Sequence, residues 1–524
     1  MSDPASPAPS PVPSGTVPSG TAPSGTVPLV ASQLAGSVRE LLDWLSEVAP
    51  RRDRDDEVAA LVLGHLGDAG RSTSVVSREI APFEQVNLQV ALSAWAAEPG
   101  RTVDVQGLAL SEEYGPTSLQ DIVHGEVNGP LRLSAPDIVD LPSGPDRTTA
   151  CWRSALLLVR DDRGPYVLLV RGPSQHDPRL SVQVAGLETA AAQDVQRELS
   201  ELRTQLSVYR GQLLELQPGG GIVFPELPAT AREDVVLPEQ VLRRIERHTL
   251  DVAARRADLQ AAGQHLKRGL LLYGPPGTGK THTTRYVVQQ LAGSTVFLLS
   301  GPALHMVDMV TSLARELAPA VLVLEDVDLV AEDRGFGDGP HPVLFSLLDA
   351  MDGAAADADL LFLLTTNRAD LLEPALAARP GRVDVAVEID LPDPDARRRL
   401  FDVYTRGVPL EVDEADVDAV VERTEGVTAS FIKELVRRAV LESLHATPGP
   451  LTTVSGEHLS LALDDLLDST QAVTRALLGV PADQSAPPMG PPLGMPEPGL
   501  PFDRGFAGHR GAGWMTYGLD DDPL

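Results

Sequence analysis

The sequence is poor in thiols, lysine, aromatics and long apolar runs. Cys151 is its single cysteine, which excludes an internal disulfide and leaves too few thiolates for a zinc site built on them. Flanked by apolar residues, Cys151 reads as a small core residue. No stretch approaches the roughly 18 consecutive apolar residues of a membrane-spanning helix. The first residues carry neither a basic nor an apolar segment, so no secretory leader is expected and the chain is expected to be cytoplasmic. Basic charge is also short, with 43 Lys and Arg against 74 Asp and Glu, a formal net charge of −31. That balance argues against a nucleic-acid backbone as the main ligand, which needs a basic surface. Lysine occurs only at 267, 280 and 433.

Both ends of the chain also lack apolar surface to bury. Residues 1–31 are rich in Pro, Ser, Gly and Thr, with Pro-Ser-Gly-Thr recurring at 13–16, 18–21 and 23–26. Residues 471–524 form an acidic, Pro- and Gly-rich tail carrying Phe502, Phe506, Trp514 and Tyr517. Both are expected to be flexible.

Between the tails the pattern changes twice. Leu34, Val38, Leu41, Leu42, Leu45 and Val48 recur at helical spacing, and residues 57–66 and 86–95 repeat that period. From Cys151 onward short apolar runs predict strands over 152–160 and 166–171, turning at 161–165, and a third strand over 179–184. A charged helix is expected over 189–209 and a strand over 212–216. Residues 32–222 are thus expected to form an N-terminal region, helical and then α+β, without recognisable catalytic chemistry. Pro218-Gly219-Gly220-Gly221 reads as a hinge. A polar, Arg-rich helix is expected over 238–262.

The chemistry is concentrated after that helix. The apolar run Leu270-Leu271-Leu272-Tyr273 feeds Gly274-Pro275-Pro276-Gly277-Thr278-Gly279-Lys280-Thr281, which fits G-x-x-x-x-G-K-[ST] between a strand and a helix. Glycines let the backbone curl so that successive N–H groups face a phosphate, and the helix start adds positive dipole there. Lys280 can reach the β- and γ-phosphates, the Thr281 hydroxyl can hold Mg²⁺, and His282 follows at the nucleotide-binding turn. A second apolar run, 321–324, ends in Glu325-Asp326-Val327-Asp328, placing acids beside the phosphates for metal binding and activation of water. A third, 360–364, ends in Thr365-Thr366-Asn367-Arg368, where the Asn367 amide could orient that water. The stretch from Pro374 to Asp384 contains Arg379-Pro380-Gly381-Arg382.

Taken in this order and at these intervals, the phosphate loop, the acids of 325–328, Thr365-Thr366-Asn367-Arg368 and the Pro374–Asp384 stretch resemble the AAA ATPases of the AAA+ superfamily. The resemblance covers about residues 235–470. It implies an α/β fold: a P-loop NTPase αβα core with a parallel sheet over 223–395 and a C-terminal helical lid over 396–470, preceded by the α and then α+β region. It implies ATP and Mg²⁺, with Thr281 and Glu325 on the metal, Asp326 as base, and a homo-oligomeric ring, usually a hexamer. Arg382 stands at the position of the arginine that reaches a neighbouring subunit's γ-phosphate. The activity implied is ATP hydrolysis coupled to remodelling, unfolding or disassembly of a protein client held through the N-terminal region. No membrane partner is expected from the short apolar runs, and the charge argues against nucleic acid.

Three features depart from the family pattern. The two acids come as Glu325 then Asp326, where Asp then Glu is usual. A second arginine three residues after Arg382 is replaced by Val385. The loop after the second core strand, Ser300 to Val307, has no aromatic residue for gripping a threaded chain and offers Leu304 and Met306 instead. These departures leave room for an ATP-gated assembly scaffold with slow hydrolysis and no threading.

Overall fold

The structure, a computed structural model, describes residues 57–67, 70, 74–109, 117–124, 131–174, 177–217, 220–328, 351, 358–368, 383–446 and 453–468. The helical pattern expected from Leu34 to Val48, both tails and residues 374–382 lie outside these. The chain divides into two units, the first ending at Val403 and the second starting at Tyr404.

The first unit contains two seven-stranded sheets. The N-terminal sheet is antiparallel. It contains β1 (Val76–Ile80), β2 (Thr102–Ala109), β3 (Arg132–Ser134), β4 (Asp137–Gly144), β5 (Arg147–Asp161), β6 (Gly164–Arg171) and β7 (Leu180–Ala185), in the order β1-β7-β6-β5-β2-β3 with β4 also on β5. Residues 152–160 and 166–171 therefore form the expected hairpin within longer strands. Helices cover both faces. α1 (Glu57–Leu66) and α3 (Leu119–His124) bury Val58, Val62 and Ile122 against Leu156 and Leu169. On the opposite face, α2 (Gln85–Ala96) and α4 (Thr189–Gln205) bury Leu88, Leu92, Trp95 and Val195 against Leu157 and Leu168. This alternation along β5 and β6 explains their near-continuous apolar runs, because both faces are covered. Cys151 is fully buried and burial pushes its thiol up to about 11, so it is a core residue as expected.

Helix α4 stops at Gln205, short of the expected 209. The backbone N–H of Val208 donates to Asn87 Oδ1 on α2, and the Tyr209 hydroxyl donates to the Phe83 carbonyl. Tertiary partners for these groups replace the last helical turn.

The second sheet is built from β8 (Leu213–Leu216), β9 (Ile222–Val223), β10 (Arg268–Tyr273), β11 (Thr295–Ser300), β12 (Ala320–Glu325), β13 (Leu360–Thr366) and β14 (Val385–Glu388), in the order β14-β10-β13-β12-β11-β8-β9. All neighbours are parallel except β8 and β9. Strand β8, assigned from sequence to the N-terminal region, belongs to this second sheet. It pairs with β11, so no sheet boundary falls at 222. Helix α5 (Glu239–Glu246) passes through a π-helical turn, Arg247–Asp251, into α6 (Val252–Ala254) and α7 (Arg256–Ala261), where one polar helix was expected. At that turn the Thr249 hydroxyl donates to the Ile245 carbonyl and Arg268 reaches the Thr249 carbonyl, groups that compete with the regular ladder. Helices α8 (Lys280–Gln290) and α9 (Val307–Glu316) cover opposite faces of the sheet. α10 (Pro394–Tyr404) follows β14.

In the second unit, β15 (Leu410–Glu411) pairs in parallel with β16 (Val454–Ser455). α11 (Glu414–Arg423) starts at an Asp413 cap, and α12 (Ala429–Ala446) packs on α13 (Gly456–Leu467) through buried side chains such as Phe431, Leu435, Leu459 and Leu463.

Candidate functional site

In an open parallel sheet, ligands bind beyond the carboxyl ends of the strands where neighbouring connections diverge. β10 lies between β14 and β13, while the next strand in sequence, β11, lies three places away, beyond β13 and β12. The stretches singled out from sequence leave the carboxyl ends of three adjacent strands there: the phosphate loop from β10, the acids from β12 and Asn367 from β13.

The phosphate loop needs its glycines. Gly274, Gly277 and Gly279 have φ of +143°, +79° and +106°, a region that side chains disfavour. At Gly274 a Cβ would also lie 2.2 Å from the carbonyl oxygen of Ile389, the residue after β14. Pro275 and Pro276 complete the turn, and the Thr278 hydroxyl donates to the Pro275 carbonyl at 2.9 Å. Lys280 is buried at the start of α8. Its Nζ donates to the Gly274 and Pro275 carbonyls, each at 2.8 Å. Burial pulls the ammonium below its ordinary range, against the opposing charges of Asp326 and Asp328. His282, the next residue but one, is exposed.

The acids at the end of β12 divide their work. Glu325 lies near the Thr281 side chain, which acts to lower its carboxyl. Burial first, and then the Asp326 charge, pushes its carboxyl above the ordinary range, with Arg285 and Thr281 acting the other way. Asp326 adopts φ +50°, and its backbone N–H donates to Thr365 Oγ1 at 3.0 Å. Asn367 Nδ2 donates to Asp326 Oδ1 at 3.3 Å. Thus Glu325 and Asp326, though adjacent, face different partners: Glu325 the start of α8, and Asp326 the end of β13.

Asp328 was given no separate task from sequence. It is buried, and its Oδ1 accepts from the Thr366 hydroxyl at 2.9 Å and from the Asn367 backbone N–H at 3.1 Å. It pins the end of β13, and so the Asn367 amide, to the acidic turn. The available signal was a third acid two residues beyond Asp326. The end of the Arg379–Asp384 stretch is also visible. Asp384 Oδ2 accepts from the Gly269 N–H at 2.8 Å, and Val385 opens β14 opposite Leu270. Arg382 itself lies outside the described residues.

The pair Thr281 and Glu325 suits Mg²⁺, since a hydroxyl and a carboxylate lie near one another and both are hard oxygen donors. Among the described residues no group of three His, Cys, Asp or Glu could hold a metal by itself.

The segment after β11 differs from expectation. Gly301–Met306 forms a tight helical turn, and Leu304 is 3% exposed within the core that also holds Phe297 and Val310. Leu304 is therefore unavailable to grip a chain, and Met306 packs against the same core while His305 is exposed.

Residues 270–391 match the family model "ATPase family associated with various cellular activities (AAA)". The ATP-dependent zinc metalloprotease FtsH of Nitrosococcus oceani is 37% identical over 224 residues, which is 40% of this chain and 34% of that protein. The ATP-dependent zinc metalloprotease FtsH 1 of Conexibacter woesei is 36% identical over 214 residues, 38% of this chain and 32% of that protein. The chain thus spans about a third of the length of these curated relatives. A solved structure, the FIGL-1 AAA domain, is similar over 47% of this chain and 90% of its own, at 22% identity and a TM-score of 0.39. Among the described residues no helix is long and apolar enough to cross a membrane.

Proposed function

We propose that this chain, whose residues 270–391 match the AAA family model, hydrolyses ATP with Mg²⁺ as a cytoplasmic ring of the kind AAA ATPases form, usually a hexamer, and uses the cycle to remodel a protein client. The observation that carries this reading is the joining of Asp326 to Asn367 at 3.3 Å beside the buried Lys280. It supports reading Asp326 as base and Asn367 as the water-orienting amide, beside a phosphate-binding lysine at the carboxyl ends of adjacent strands.

In this reading the loop N–H groups of 274–279 and Lys280 bind phosphate oxygens, and the start of α8 adds its dipole. Thr281 and Glu325 hold the cation. Mg²⁺ held there would supply positive charge to offset the charge of the phosphates. Asp326 accepts the proton of the attacking water while Asn367 orients that water. Asp326 is one methylene shorter than glutamate, and its left-handed backbone aims its carboxylate at Asn367. Arg382 completes the site of a neighbouring copy by its place in the motif. The N-terminal sheet and its helices, lacking catalytic groups, hold the client.

A second reading, an ATP-gated scaffold that turns over slowly and threads nothing, is favoured by one observation. Leu304, the apolar candidate in the segment after β11, is in the core. Turnover per subunit measured against protein concentration, for the wild type, Asp326→Asn and Arg382→Ala, separates the two. Turnover that rises with concentration and disappears in both variants, with ATP still bound, supports the ring ATPase. ATP binding by the wild type without turnover at any concentration supports the scaffold.

A further inference from the structure

Strand β8 extends the nucleotide-site sheet and carries an acid with no role so far, Glu215. It pairs in register with Leu298 of β11, and Ser300 of β11 pairs with Glu325 of β12. Opposite residues on neighbouring strands share a face, as do residues two apart along a strand. Glu215, Leu298, Ser300 and Glu325 therefore lie on the face covered by α8. That helix contributes Thr281 and, one turn later, Arg285. Glu215, Arg285, Ser300 and Glu325 line one cleft of ≈ 180 Å³. Arg285 acts on Glu325 as a favourable charge and Glu215 as an unfavourable one. The Arg285 guanidinium makes no hydrogen bond or ion pair with any described residue. It is an uncommitted cation in a cleft between two carboxylates, one of them the metal-binding acid of the proposed site.

We propose that Glu215 is a positioning residue for that site, drawing the Arg285 guanidinium toward β8 so that the Glu325 carboxylate stays open to the divalent cation. This rests on the reading of Glu325 and Thr281 as the metal-binding pair. A guanidinium fork matches a carboxylate in two-point contact, so it is a competent rival to Mg²⁺ for Glu325. With Glu215 neutralised, Arg285 has one acid left to pair with.

The test is binding of a fluorescent ATP analogue, first in EDTA and then across an Mg²⁺ titration, for the wild type, Glu215→Gln, Arg285→Gln and the double variant. EDTA affinity is expected to be the same in all four, because neither residue lies at the phosphate loop. Half-saturating Mg²⁺ is expected to rise about 3- to 10-fold in Glu215→Gln, the effect of one unit charge at a partly solvated site. In the Arg285→Gln background the same Glu215→Gln change is expected to have no effect. An unchanged Mg²⁺ requirement in Glu215→Gln overturns the proposal. So does an equal shift in both backgrounds, which would mean that Glu215 acts without Arg285. A wild type that binds the analogue in neither condition overturns the nucleotide reading, and this inference with it.

Discussion

Asn367 Nδ2 donates to Asp326 Oδ1, joining the ends of two adjacent parallel strands at 3.3 Å. Asp326 reaches that amide from a left-handed backbone, φ +50°, that asparagine tolerates nearly as well as aspartate and alanine does not. Asp326→Asn is therefore expected to keep the fold and ATP affinity while turnover falls about 10²- to 10⁴-fold, the usual contribution of a positioned base. Asp326→Ala is expected to lose turnover and also roughly 1–2 kcal/mol of stability from backbone strain. Steady-state kinetics, ATP binding and thermal unfolding of both variants check this. Substantial turnover in Asp326→Asn would move the role of base to another residue.

Gly274 and Gly279 both have positive φ, but only Gly274 is hemmed in. A Cβ at 274 meets the Ile389 carbonyl oxygen at 2.2 Å, while one at 279 meets nothing within 4 Å. Gly274→Ala is expected to cost about 3 kcal/mol through overpacking and to displace the loop after β14. Gly279→Ala is expected to cost only the roughly 1–2 kcal/mol of a left-handed side chain. Denaturant unfolding of the two variants gives the comparison, and equal losses would contradict it.

The parts of the site legible in the sequence are those fixed by local chemistry. Glycines at 274, 277 and 279, a lysine at the helix start and acids ending an apolar run each carry their meaning within a few residues. Asp328 was harder to read because its task is to hold Thr366 and Asn367, some forty positions on, and only the pairing of β12 with β13 brings them together. Strand β8 was misassigned for the same reason: four residues cannot say which sheet they join, and its partner Val296–Leu298 lies far along the chain. Leu304 sat in a Gly-Pro segment that reads as an exposed loop, yet the tight turn over 301–306 rotates it inward. In the N-terminal region the strand runs were plain, but the end of α4 was not, because Asn87 and Phe83 on distant segments take over its last turn.

Asp328 supplies a sharper test of the site than its silence in the motif implies. Asp328→Asn leaves an acceptor oxygen for Thr366 and Asn367 and is expected to preserve stability. Asp328→Ala strips the acceptor from a buried donor and a half-buried one and is expected to cost about 1–3 kcal/mol. It is also expected to lower turnover more than ATP affinity, since Asn367 loses its anchor while the phosphate loop does not. Kinetics and thermal unfolding of the pair check this. A drop in ATP affinity that matches the drop in turnover would mean that Asp328 acts on the loop through Lys280 instead.

The junction between the two sheets of the first unit should respond to pH through Glu84. This side chain is 3% exposed, accepts from Asn87 Nδ2 at 3.1 Å and pairs with Arg203 Nε at 3.2 Å. Its neighbour Phe83 sits in the core under the parallel sheet. Burial pushes the Glu84 carboxyl up from 4.5 to about 7, with Arg203 and Asn87 pulling down and Glu316 adding to the rise. A folded-state value above the unfolded one means that the folded protein keeps a proton that the unfolded chain releases. The stabilisation is complete below about pH 4.5 and is lost as pH rises through about 7. Glu84→Gln mimics the protonated form and cannot titrate. Its stability relative to the wild type is expected to improve as pH rises from 5 to 8, by a span on the order of 3 kcal/mol. Denaturant midpoints of both proteins across that range provide the measurement. Parallel pH curves would mean that Arg203 holds Glu84 ionised throughout, and that the junction is fastened by an ion pair instead of a buried neutral acid.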